Sequence, residues 1–209
     1  MVRFFSLIIM CLMFLSSDSM TGKASKENTF RLVFSDEFDL PDGCQPDSAK
    51  WSRAQRYGAV WNRWISDSKD VVYIRNGKLV CRAIPNRTEP NDTAKMLTGA
   101  IETAGKFSFL YGKVEVKLRT NNKSGNFPAV WMKPEDRNIG KPYGEIDIFE
   151  SCGNLGIVQH SVHNHLTVNL NKKGPKNTFR EQIPVRRWHV YGLEWSPERL
   201  VFTIDGKTT

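Results

Sequence analysis

From Tyr111 to Arg119 the chain alternates apolar Val114, Val116 and Leu118 with charged Lys113, Glu115, Lys117 and Arg119. Period two is the mark of a strand with one face on a core and the other in water. The same reading predicts strands over 30–38, 71–74, 78–84, 99–109, 127–132, 157–169, 188–196 and 200–204. Gly, Pro, Asn or Asp clusters punctuate them. Arg75, Asn76 and Gly77 join two of these runs with an Asn-Gly hairpin signal. The 200–204 strand either pairs with 188–196 or follows it. Segment 51–64 mixes Arg, Asn, Gly and Trp in neither period and reads as an irregular loop. No helical stripe and no internal repeat follows residue 20. Many short strands with regular turns predict an all-β sandwich or barrel.

The seven residues Gly144 to Glu150, G-E-I-D-I-F-E, set three acids among Ile146, Ile148 and Phe149. β-Branched and aromatic neighbours favour a pleated strand. On it Glu145 and Asp147 share one side while Ile146 and Ile148 fill the other. Glu150 is one residue out of phase, and a β-bulge between Asp147 and Glu150 would return it to the carboxylate face. Carboxylates that close raise one another's pKa, and a raised carboxyl can act as an acid near neutral pH. One carboxylate to attack and another to protonate a leaving oxygen is the equipment of a glycosidase. The pattern E-x-D-x-x-E by itself also fits a solvated strand face, so the rest of the chain has to decide.

A chain of 209 residues with 40% hydrophobic and 25% charged positions suits one soluble domain. The net charge of +8 is spread along the chain. There is no basic helix, zinc pattern or ribonucleoprotein motif to make it a nucleic-acid footprint. At the N-terminus Arg3, an apolar run from Phe4 to Leu15, and Ser16, Ser17, Asp18 and Ser19 form the pattern of a secretory signal peptide over 1–19. The run is too short for a comfortable membrane span. A polar tether over 20–29 and a catalytic domain over 30–209 would follow, in a secreted, periplasmic or cell-surface monomer. Cys44, Cys81 and Cys152 make no disulfide framework and read as buried or incidental thiols.

The acid strand, F-P-A-V-W-M at 127–132, G-K-F-S-F-L-Y-G-K-V-E at 105–115 and W-H-V-Y-G-L-E-W-S-P-E-R-L-V-F-T-I-D-G at 188–206 together resemble glycoside hydrolase family 16. Laminarinases, lichenases and agarases make up that group, and the extra residue in E-x-D-x-x-E is similar to its bulged branch. The resemblance runs from about Phe34 to the end. It implies a β-jelly-roll of two antiparallel sheets with a substrate cleft on the concave sheet. It also implies retaining endo-hydrolysis, with Glu145 as nucleophile, Glu150 as acid/base and Asp147 tuning the nucleophile. Retention needs the working carboxyls about 5–5.5 Å apart. A flat strand advances about 3.3 Å per residue, so the strand must bend.

By the same resemblance Trp131 is the principal sugar platform, with Phe127 standing where many members have a second tryptophan. Trp64 is a wall of the cleft, Tyr143 lies near a family tryptophan just before the acids, and His163 matches the histidine of the neighbouring strand. His163 would then bond the acid/base or the sugar, or else be a satisfied histidine at a sheet edge. The chain has Ala100 where many laminarinase-like members have arginine. It also ends before the strands that usually complete both sheets, as a truncated domain would. His163 and His165 lack acidic or cysteine partners at zinc spacing. No metal or cofactor is implied for the reaction, and a structural calcium ion is the one ion the family raises. The expected substrate is β-1,3 or mixed β-1,3/1,4 glucan. The alternatives are a galactan of the agarose or porphyran type, and a non-catalytic carbohydrate-binding relative.

Overall fold

The computed structural model describes residues 30–135, 144–153, 155–168, 170–172 and 177–209. The first described part carries β1 (Ser52–Arg53), β2 (Val72–Ile74), β3 (Leu79–Cys81), β4 (Ala83–Pro85), β5 (Met96–Thr98) and β6 (Ile101–Glu102). Then come β7 (Gly112–Leu118), β8 (Ala129–Met132), β9 (Gly144–Glu150) and β10 (Ile157–Asn164). A single turn of helix, α1 (His165–Val168), precedes β11 (Thr178–Gln182), β12 (His189–Trp195), β13 (Leu200–Ile204) and β14 (Lys207–Thr208). Two four-stranded antiparallel sheets dominate, in the orders β11-β10-β9-β8 and β14-β13-β12-β7. Three two-stranded pairs, β1-β6, β2-β3 and β4-β5, sit beside them.

The two large sheets bury a common core. Ile148, Phe149 and Val158 from the first meet Tyr191, Leu193, Phe202 and Ile204 from the second. Phe149 packs on Tyr191 with ring centroids 4.6 Å apart. Alternation does what it predicts in β7, where Val114, Val116 and Leu118 turn inward and the charged residues outward. The sheet pairing is as the all-β reading requires, and β13 pairs directly with β12. In the Asn-Gly hairpin, Asn76 at φ 52° and Gly77 at φ 59° take the two left-handed positions of a type I′ turn. That turn closes β2 on β3, with Arg75 N–H donating to the Lys78 carbonyl.

Four expectations are corrected. Residues 30–38 have a strand-like composition but join no ladder. Phe34 and Phe38 instead pack their rings on Trp51 and Phe107, a local aromatic cluster that backbone periodicity cannot foresee. The run 157–169 stops being a strand at Asn164, whose side-chain oxygen accepts the Thr167 N–H and caps α1. The run 78–84 divides into β3 and β4, which pair with different partners. The run 99–109 is a strand only over β6 and then turns, with the Lys106 and Phe107 N–H groups bonded to the Thr103 carbonyl. Cys44, Cys81 and Cys152 are free and exposed, incidental rather than buried thiols. The leader and tether over 1–29 lie outside the described residues.

Candidate active site

β9 is a central strand, flanked by β8 and β10, and its register slips against both. On the β8 side Val130 faces Phe149 and Trp131 faces Asp147, so Ile148 has no opposite number. On the β10 side Gln159 faces Glu150 and Ser161 faces Asp147, so Ile148 and Phe149 together stand opposite the single His160. The bulge therefore falls between Asp147 and Glu150. Its local consequence is visible in burial: Ile148 and Phe149, consecutive residues, are both in the core at 1% and 0% exposure. Pointing two neighbours inward is what lets Glu145, Asp147 and Glu150 all reach the opposite face.

The strand end is anchored behind Glu150. The buried Ser151 hydroxyl donates to the Ile157 carbonyl at 2.8 Å and accepts Asn122 Nδ2–H at 2.6 Å. Thr120 Oγ1–H in turn donates to Asn122 Oδ1, and Arg186 reaches the Asn122 carbonyl. These bonds tie the exit of β9 to two loops, so Glu150 sits at a fixed position rather than on a fraying end.

Asp147 is 2% exposed, between two other acids. Burial first, then the Glu150 and Glu145 charges, raise its pKa from 3.8 to about 8, so it carries a proton at neutral pH. His163 faces Glu145 across the β9–β10 pair. Its Nε2 lies 3.3 Å from Asp147 Oδ2 and 4.0 Å from Glu145 Oε1. At Glu150, Oε2 accepts Gln159 Nε2–H at 3.1 Å and the Ser161 hydroxyl at 3.3 Å. Arg180 Nε donates to Gln159 Oε1 at 2.8 Å. Because a guanidinium can only donate, this bond turns the amide's N–H toward Glu150.

Trp131, 38% exposed, lies opposite Asp147 on the cleft face, and the Lys133 ammonium stands 4.4 Å over its ring. Phe127, 45% exposed, lies two residues before Ala129, which faces Glu150. Backbone bonds from Ser151 to Pro128 and from Gly153 to Asn126 keep Phe127 alongside the strand end. Glu145, Asp147, Glu150, His163, Trp131 and Phe127 thus gather on one sheet. Trp64 is half-buried, and the contacts described for it are with Arg63, stacked on its ring, and Thr98. Tyr143 lies outside the described residues.

Two other residues of the 157–169 run lie away from the cleft cluster. Val158 is in the core and His165 opens α1. Trp188, just before β12, is 40% exposed under Arg119. Gln159 and Arg180 were not foreseen at all. The signal for Gln159 was present, since it keeps strict period two with Ser161 and His163. Arg180 sits on β11, beyond any local pattern.

Glu145, Asp147 and His163 each bring one ligand atom within 4.8 Å of the others. Calcium takes roughly six to eight oxygens, so this three-residue cleft set, which includes an imidazole, is not a calcium site. Among the described residues no helix is long and apolar enough to cross a membrane.

Residues 57–209 match the profile of glycosyl hydrolases family 16. The chain belongs to this family. It is 32% identical over 179 residues to a keratan-sulfate endo-1,4-β-galactosidase of Sphingobacterium multivorum, covering 84% of this chain and 42% of that protein. A β-glucanase of Rhodothermus marinus is 31% identical over 221 residues, covering 96% of this chain and 70% of that one. Among solved structures, the laminarinase from Rhodothermus marinus superposes with a TM-score of 0.74 at 29% identity. That match covers 86% of this chain and 73% of the laminarinase. The chain therefore spans less than half the length of the first of these relatives and about seven tenths of the others.

Proposed function

We propose that this family 16 chain hydrolyses β-1,3 or mixed β-1,3/1,4 glucan internally, with retention of configuration. The observation that carries the reading is the bulge at Ile148, which sets Glu150 on the same face as Glu145 and Asp147. In the first step the Glu145 carboxylate attacks the anomeric carbon while the Glu150 carboxyl gives its proton to the departing glycosidic oxygen. The sugar is left as an ester of Glu145. In the second step Glu150, now a carboxylate, takes a proton from water. The water oxygen attacks the same carbon, and the Glu145 carboxylate leaves. Two inversions give retention.

Asp147, protonated and buried beside Glu145, offers a hydrogen bond to the nucleophile without adding a second charge next to it. His163 Nε2 stands 3.3 Å from Asp147 Oδ2 on its other side. Trp131 supplies an aromatic face for the apolar side of a sugar ring. Export by the 1–19 leader suits a polymer that cannot enter a cell, and the β-glucanase similarity supports the glucan.

A second reading keeps the chemistry and changes the polymer to a galactan. Lys133 above Trp131 supports it, because a cation at the sugar platform suits an anionic chain. The 32% identity to the Sphingobacterium galactosidase supports it as well. Reducing-sugar release from laminarin, barley mixed-linkage glucan, agarose and keratan sulfate, with Glu145→Gln as control, separates these readings. Glucan cleavage that the control abolishes supports the proposal, and cleavage of agarose or keratan sulfate alone replaces the polymer. A folded protein that binds a glucan and cleaves none of the four is a carbohydrate-binding relative.

A further inference from the structure

The bulge that brings Glu150 into the cleft needs a cause. A flat β9 would pair one to one with its neighbours, and a shift of one residue moves every later side chain to the other face. Glu150 would then turn into the core. Something must favour the slipped register at Ile148, and the residue that faces the slip is His160. It lies between Gln159, opposite Glu150, and Ser161, opposite Asp147, and like Ile148 it has no one-to-one partner across this pair.

We propose that His160 is the positioning residue of this site: its ring holds the Ile148 carbonyl and so holds the bulge that aims Glu150. His160 Nδ1 lies 2.7 Å from the Ile148 carbonyl oxygen. A carbonyl only accepts, so Nδ1 carries the hydrogen and the neutral ring has a defined tautomer. Both residues are sealed from water, His160 at 0% and Ile148 at 1% exposure. A buried carbonyl without a donor is expensive, so this bond selects the register that makes it. The ring cannot swing away, because it is stacked on Phe202 of the opposite sheet, centroids 4.8 Å apart and planes at 16°. Phe202 belongs to the core cluster that takes in Ile148 and Phe149. His160 is on the core side of β10 and touches neither the cleft nor a sugar, so it acts only through Glu150.

The activity arm of the test rests on the hydrolase reading above, whereas the register arm does not. His160→Phe keeps a ring against Phe202 and removes the donor. His160→Asn puts an amide N–H near the Nδ1 position and removes the ring. In His160→Phe, cross-strand NOEs between the α-protons of Gln159 and Glu150 should vanish while those between Ser161 and Asp147 persist. On the best substrate of the wild-type protein its kcat should fall on the order of a hundredfold, the usual cost of an ångström of misplacement. KM should change little, because the sugar platform is untouched. His160→Asn should keep the NOEs and recover most of kcat despite the lost ring packing. A folded His160→Phe with native NOEs overturns the proposal, whatever its activity. So does a His160→Asn no better than His160→Phe. If the wild type cleaves nothing, the hydrolase reading fails and the NOEs alone decide the role of His160.

Discussion

Replacing Asp147 by Asn is the sharpest probe of the site's electrostatics. The substitution keeps the shape and removes the charge from a side chain that is 2% exposed between Glu145 and Glu150. With a folded pKa of about 8 against an ordinary 3.8, the folded state holds a proton that the unfolded chain releases. Wild-type stability therefore falls as pH rises from about 4 to 8, and the penalty is absent below that window and complete above it. At pH 7 the cost spans roughly three pKa units, about 4 kcal/mol as an upper figure at about 1.4 kcal/mol per unit. Water in the cleft and side-chain relaxation bring it to about 2–4 kcal/mol. The Asn variant should match the wild type near pH 4 and exceed it increasingly up to pH 8. There the gain corresponds to roughly 5–15 °C in Tm for a chain of this size. Thermal unfolding at pH 4, 6 and 8 measures it. The same variant should lose activity by tenfold or more, since an amide facing Glu145 no longer responds to the charge on the nucleophile. Parallel stability curves for the two proteins across that range would refute the buried, coupled carboxyl.

Two further perturbations test other links. Glu150→Ala should be nearly inactive on polymer, yet azide should restore turnover on an aryl glycoside whose leaving group needs no proton. A variant that azide does not revive would move the acid/base role elsewhere. Gly99→Ala should destabilise the fold by about 2–4 kcal/mol, because a Cβ there runs into the Val71 carbonyl and the Val72 side chain. The carbonyl cannot step aside, since it accepts the Arg82 N–H at 2.9 Å. An unchanged urea midpoint would show that the close approach is slack.

The fold class was legible in the chain because strand alternation and turn chemistry are local. Val114, Val116 and Leu118 reach the core by spacing alone, and Asn76-Gly77 turns where its backbone preferences say it must. The acid strand could be singled out too, but only because the 105–115, 127–132 and 188–206 segments accompany it; alone, its three carboxylates also fit a solvated strand face. Period two even predicted that Glu150 would need a bulge to join the other acids.

What the chain could not decide locally is where partners from distant segments would fall. That the slip falls between Asp147 and Glu150 depends on β8 and β10 both accommodating it there. Period two already puts His160 and His163 on opposite faces of β10, but only packing decides that the His160 face meets the second sheet. Gln159 acquires its aim from Arg180, twenty-one residues on. The raised pKa of Asp147 exists only once the sheet has buried it beside two other acids. Periodicity is a property of neighbours in sequence, whereas burial, hydrogen-bond partners and charge coupling are properties of neighbours in space. In this protein sequence sets the strands and supplies the acids, and packing of one sheet on the other decides what each acid can do.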